Sequence, residues 1–215
     1  MIKQMVKGVA EHYLFYRDAE RTFFQPEEFP WEASVEAKWK TIRRELDKLM
    51  RHRARSRTFR ITPPSRDALP NDDRWRTFYF YQFGYVEKEN CARCPETVRI
   101  LKEIPGMNTA IFSILAPGKY IPPHRGAYKG VLRYHLGFLV PKPEHSCRIR
   151  VGNDIRHWQK GKSLIFDDSH VHEVWNDSNS YRVVLFVNFT RPTVFPLSLV
   201  NRLLIWIRCQ RKKVT

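Results

Sequence analysis

Eight histidines are spread through the chain, and four of them sit where they could do chemistry: His124 in PPHRGAYKG, His135 in GVLRYHLGF, and His170 and His172 in FDDSHVHEVWN. A strand-rich fold that supplies one histidine from a loop and another from a strand much later in the chain can place two neutral imidazoles on one ion. Imidazole suits Fe(II), Zn and Cu alike. The competing reading is a pair of buried rings satisfied by backbone partners. The strand period of two sharpens the choice, because it puts Arg133 and His135 on one face and Leu132, Tyr134, Leu136 and Phe138 on the other. An inward arginine is costly unless an anion meets it. The same holds for Arg182 in YRVVLFVNF, which is flanked by apolar residues on both faces. A guanidinium fixed on a strand offers a planar fork matched to a carboxylate. Two such arginines with two histidines describe a site for a dicarboxylate bound to a metal, although each arginine taken alone reads more simply as a surface pair at a strand end.

The elements that must position these residues change character along the chain. Val9 to Arg21 and Glu36 to Met50 read as helices, the second with Trp39, Ile42, Leu46, Leu49 and Met50 at spacings of three and four. FFQPEEFPW between them is turn-rich, and Arg51 to Asp73 is a basic, then proline-rich, surface loop. In that loop Arg51, Arg53, Arg55, Arg57 and Arg60 form either a solvated face or a phosphate-contacting patch. From Arg74 the texture is β: RTFYFYQFGY, NTAIFSIL, GVLRYHLGFLV, CRIRVG, KSLIF and YRVVLFVNF, separated by PGK, PKPEH, GND and NDSNS, with a helical stretch around Cys94 to Ile104. This predicts a mainly β fold with flanking helices, a sandwich or barrel of which the double-stranded jelly roll is one form. A single domain is expected, with N-terminal helices and loop over 1–73, a β core over 74–192 and a C-terminal basic helix over 193–215. The run Leu197 to Ile207 is apolar apart from Ser198, Asn201 and Arg202 and is too short to span a bilayer. It fits a helix docked on the domain, or one lying in a membrane surface with Trp206 beside the cations Arg208, Arg211, Lys212 and Lys213.

Bulk composition limits the function classes. With 42% apolar and 28% charged residues the chain is neither disordered nor fibrous. Met1 to Glu20 has no charged and then apolar leader pattern, so no secretory signal is expected. Four cysteines are too few for a disulfide scaffold, and one CxxC, Cys91 to Cys94, is a weak zinc signal. A cytoplasmic protein is expected, or one peripheral on the cytoplasmic face of a membrane. The balance of 38 Lys and Arg against 22 Asp and Glu, a net +16, favours a polyanionic contact. A non-catalytic basic binding module for nucleic acid is the alternative of another class; its aromatic residues fall at alternating strand positions that read as core, which argues against it.

The stretch from HRGAYKGVLRYHLG through W..GK..IFDDS..HEVWN to R..L...F.RP resembles the aspartyl/asparaginyl β-hydroxylase family over about Thr77 to Pro192. The resemblance implies a double-stranded β-helix (cupin-like) dioxygenase that uses Fe(II), with 2-oxoglutarate and O2 as cosubstrates. Residue by residue it implies that His124 and His172 are the iron ligands. It puts Ser113 and Arg182 on the distal carboxylate of 2-oxoglutarate, His135 and Arg133 in the rest of that pocket, and Asp168 and Trp175 in structural roles. Gly126 stands where most dioxygenases of the wider class carry the third, acidic ligand, a departure that this branch shares. Halogenases vacate the same corner, while the LRYHLG and HEVWN surroundings favour hydroxylation.

Within the family a peptide branch hydroxylates Asp or Asn side chains, and a lipid branch hydroxylates C2 of acyl chains in lipid A or ornithine lipids. CPETVRILKEIPGMNTAIFSIL and FVNFTRPTVFPLSLVNRLL are similar to lipid A hydroxylases, and the charge suits an anionic lipid or membrane surface. HRG in place of the HRD of many lipid A hydroxylases points the other way. The lipid substrate is the preferred expectation and the peptide substrate the alternative.

Overall fold

The computed structural model describes residues 20–51 and 74–213, together with Phe15. Most of the helix expected over Val9 to Arg21, and the loop and arginine run that follow Arg51, lie outside the described residues. Two antiparallel sheets face each other. The larger has seven strands in the order β1 (Phe23–Phe24), β9 (Ser163–Phe166), β6 (Val131–Leu139), β11 (Arg182–Thr190), β4 (Met107–Leu115), β2 (Trp75–Gln82) and β3 (Tyr85–Val86). The smaller runs β5 (Lys119–His124), β10 (His172–Asn176), β7 (Cys147–Val151) and β8 (Asp154–His157). Apart from the β2–β3 and β7–β8 hairpins, every pair of neighbours is non-consecutive, which marks a jelly roll, the expected fold class.

Alternation along the central strands sends one set of side chains inward and the other outward. On β6 and β11, Leu132, Tyr134, Leu136, Phe138, Val183, Leu185, Val187 and Phe189 join the core on the outer side of the large sheet. Among the described residues the α-helices flanking the sheets are α1 (Glu32–Ala37), α2 (Trp39–Arg51), α3 (Lys88–Arg93), α4 (Pro95–Leu101) and α5 (Leu197–Lys213). Val35 of α1, Ile42, Leu46 and Leu49 of α2, and Ile100 and Leu101 of α4 pack on that outer face. The helix expected over Glu36 to Met50 is thus two helices. Lys38, at φ −90° and ψ 7°, breaks them, and its ammonium bonds Ser34 and Glu103 instead. The Glu45 carboxylate accepts the backbone N–H groups of Glu96 and Thr97 and the Thr97 hydroxyl, supplying the N-terminal cap that Cys94 does not give α4.

Between the sheets lies a second core of Ile111, Leu115, Ile121, Ile149, Val151, Trp158, Phe166, Val174, Val184 and Phe186. Three strands went unread in the sequence. β1 is two residues long, β8 is fully exposed and so carries no alternation, and β5 contains Pro122 and Pro123. Proline cannot donate to a ladder and is tolerated only at a sheet margin, which is where β5 lies. His124 therefore ends a strand and does not come from a loop.

Candidate active site

His124 and His172 converge because their strands pair antiparallel with these two residues directly opposed. Opposed side chains on one face of such a pair are close neighbours, and the imidazole centroids are 4.1 Å apart. Each ring is fixed by a backbone carbonyl: His124 Nδ1 lies 2.8 Å from Pro122 O, and His172 Nδ1 lies 3.0 Å from His170 O. A carbonyl can only accept, so both Nδ1 atoms carry the proton and both Nε2 atoms present lone pairs, the tautomer used by imidazoles that bind metal. Burial holds both rings neutral, lowering His124 below its usual value and pushing His172 down to about 2. His170 sits outside this pair, with its ring toward Asp167.

The inward faces of the large sheet supply the rest. Ser113 on β4, Arg133 and His135 on β6, and Arg182 and Asn188 on β11 line one cavity of about 260 Å³ together with both histidines, and apolar Ile111, Ile121, Val174 and Phe186 close it. The structure thus brings every sequence-predicted site residue into a single space. Arg182 is 2% exposed and its Nε and Nη1 have no hydrogen-bond partner; burial lowers its pKa to about 10. Its guanidinium lies 4.6 Å over the Trp158 ring. Both nitrogens of buried His135 are likewise without partners, and burial, then Arg182, drives its pKa well down. Ser113 Oγ accepts from Trp75 Nε1 at 3.1 Å. A desolvated arginine beside unsatisfied donors is expensive as it stands and fits the anionic group of a bound ligand.

Arg133 is committed differently. It ion-pairs with Asp168, donates to Asn188 Oδ1 at 3.1 Å and lies 3.4 Å from His172 Nε2. Asp168 was expected to be structural, but its carboxyl lines the cavity, is 3% exposed and leaves Oδ1 without a partner. Burial raises its pKa against the pull of Arg133. A Cβ placed on Gly126 would fall 2.3 Å from the Asp168 carboxylate, while the Gly126 N–H donates to the Asp168 carbonyl at 2.6 Å. The corner that a third acidic side chain at position 126 would enter is therefore filled by Asp168. The signal was available in two adjacent carboxylates within IFDDS, an otherwise apolar strand end. Its neighbour Asp167 pairs with the buried Arg191, which accounts for the arginine of the RP motif as structure. Trp175 stacks on Tyr120 outside the cavity, in keeping with a structural role.

A jelly roll with two histidines and an unpartnered arginine on its inner faces defines an oxygenase-like site. The chain belongs to the aspartyl/asparaginyl β-hydroxylase family, whose sequence profile matches residues 36–192, a longer stretch than Thr77 to Pro192. It is 45% identical over 173 residues to an ornithine lipid ester-linked acyl 2-hydroxylase from Rhizobium tropici, covering 80% of this chain and 62% of that protein. It is 33% identical over 168 residues to human aspartyl/asparaginyl β-hydroxylase, covering 76% of this chain but 21% of that one. The chain therefore spans less than two thirds of either relative. A Pseudomonas putida prolyl-4-hydroxylase overlays 84% of this chain and 98% of its own at 15% identity and a TM-score of 0.47.

Proposed function

We propose that this chain is an Fe(II)- and 2-oxoglutarate-dependent hydroxylase acting on C2 of an acyl chain in a membrane lipid. The observation that carries the proposal is the pairing of two Nδ1-tethered imidazoles, both with Nε2 lone pairs, and an unpartnered arginine at 2% exposure in the same cavity. His124 and His172 would hold the metal. The remaining coordination positions would fall to cosubstrate and solvent. The chemistry that iron would supply there is reductive activation of O2 coupled to oxidative decarboxylation of 2-oxoglutarate, one oxygen atom going to succinate and one to the substrate carbon.

The protein's own residues bind, orient and exclude. Arg182 and Ser113 take the distal carboxylate of 2-oxoglutarate, which restores the hydrogen bonds that Arg182 lacks. His135, held neutral, adds a donor at the same end. Arg133 and Asp168 form a preorganised pair beside the metal position, neutralising each other in a desolvated space. Ile111, Ile121, Val174 and Phe186 exclude water from the reacting carbon. No side chain needs to act as a general base.

The acyl substrate is supported by the name of the bacterial relative and by the net charge of +16. Purified protein given Fe(II), 2-oxoglutarate, O2 and aminolipid extract should add one oxygen to an ester-linked acyl chain, placed at C2 by fragmentation mass spectrometry. Unchanged lipids with an oxidised Asp-containing peptide would assign the peptide substrate instead.

A further inference from the structure

We propose that α5 and the Val194–Phe195 segment before it seat the protein in the surface layer of an anionic phospholipid bilayer, beside the cavity that α5 helps to line. The helix docks by one face: Leu197, Leu204 and Ile205 pack with Phe15 and Tyr128, and Asn201 bonds the carbonyls of Gly130 and Arg191 at 3.0 and 3.1 Å. That docking accounts for its inward apolar residues and leaves a second apolar stripe facing out. Leu199, Leu203 and Trp206, spaced i, i+4 and i+7, are 55%, 56% and 59% exposed, and Phe195 ahead of them is 80% exposed. A contiguous patch of this kind marks an interaction surface.

Charge selects its occupant. From Thr193 to Thr215 there are five cations (Arg202, Arg208, Arg211, Lys212 and Lys213) and no carboxylate. A second copy of a chain carrying +16 would bring like charges against like, whereas an anionic lipid surface complements both the stripe and its cations. Among the described residues no helix is long and apolar enough to cross a membrane, so α5 would lie in the interface plane. The link to the site is direct. Ile205, Arg208 and Cys209 on the docked side of α5 line the cavity, as do Gln82 and Phe83 at the turn between β2 and β3. Tyr85 and Val86, just past that turn, are also exposed. What the bilayer delivers to that cavity rests on the acyl-lipid reading; the seating itself does not.

The test is flotation of the full chain with vesicles of phosphatidylcholine alone or with added phosphatidylglycerol. Binding should require the anionic lipid and weaken with salt. Leu199→Gln, Leu203→Gln and Trp206→Gln together should cut partition at least ~10-fold with the circular dichroism spectrum intact. Lys212→Gln should lower it by about five-fold, the value of one cation at an anionic surface. His172→Ala should float like the parent, so a failed oxygenase reading leaves this result readable. The proposal is overturned if the triple variant floats like the parent, if phosphatidylcholine alone binds as well, or if the triple substitution instead converts a dimer to a monomer in sedimentation.

Discussion

At Arg182 two demands conflict: a strand position walled by apolar side chains and a charge with two nitrogens unpartnered. Arg182→Met should separate them. Replacing even a buried ion pair by apolar residues of similar volume is often neutral or stabilising by ~1–4 kcal/mol. Arg182 has no carboxylate among the described residues to offset its desolvation, so the variant without 2-oxoglutarate should melt no lower than the parent and up to a few degrees higher. Saturating 2-oxoglutarate should stabilise the parent by about 2.7 kcal/mol at a hundredfold excess over Kd, and the variant should lose that shift. A variant that melts lower yet keeps that shift would place the carboxylate elsewhere. Gly126 poses the converse case. Because the Asp168 carboxylate already occupies the space beyond its Cα, Gly126→Asp should not build a third ligand but should expel Asp168 and break its pair with Arg133. Overpacking of this kind costs about 1–3 kcal/mol, read as a lower melting temperature, with Fe(II) affinity in anaerobic titration no better than the parent's. Arg133, His135 and Arg182 were legible because their types are rare on apolar strands, whereas the choice of His124 and His172 came from the family resemblance. Asp168 was only half legible: the IFDDS pair signals a buried carboxylate, but nothing in the alternation tells which of the two enters the cavity and which meets Arg191.

At the scale of elements, the longer β strands with one buried face were readable, and those at the sheet margins were not: β1 is only two residues long, and exposure or proline erases the period of two in β8 and β5. That loss matters, because β5 carries His124, and its register against β10 is what makes the two imidazoles meet. The helices show the same limit. The spacing found the buried face of α2, but the break at Lys38 depends on Ser34 and on Glu103, far along the chain. So does the cap on α4, which comes from Glu45 on another helix. Glu45→Ala leaves three donors at that helix start without their acceptor, two backbone N–H groups and the Thr97 hydroxyl, and should cost about 2–3 kcal/mol in urea unfolding. The 2-oxoglutarate shift should survive, since α4 packs on the outer face of the large sheet, away from the cavity. A cost below about 0.5 kcal/mol would mean that water replaces Glu45 as the cap.

Over the whole molecule, the large sheet does two jobs with one alternation. Its outer face packs apolar residues against the helices, and its inner face combines the apolar core between the sheets with the polar residues that line the cavity. The small sheet adds the opposed histidines, and α5 adds part of the cavity wall and an apolar outer stripe. The central claim is that the cavity is a ferrous keto-acid site. Its most direct test is anaerobic titration of the metal-free chain with Fe(II) and 2-oxoglutarate, following the weak visible charge-transfer band of a bidentate keto-acid complex. The band should appear only when both are present and vanish in His124→Ala and in His172→Ala. In Arg182→Met it should require ~30-fold or more additional 2-oxoglutarate, the order expected for losing a buried charged hydrogen-bond pair. A band that persists undiminished after both histidines are replaced would contradict the account.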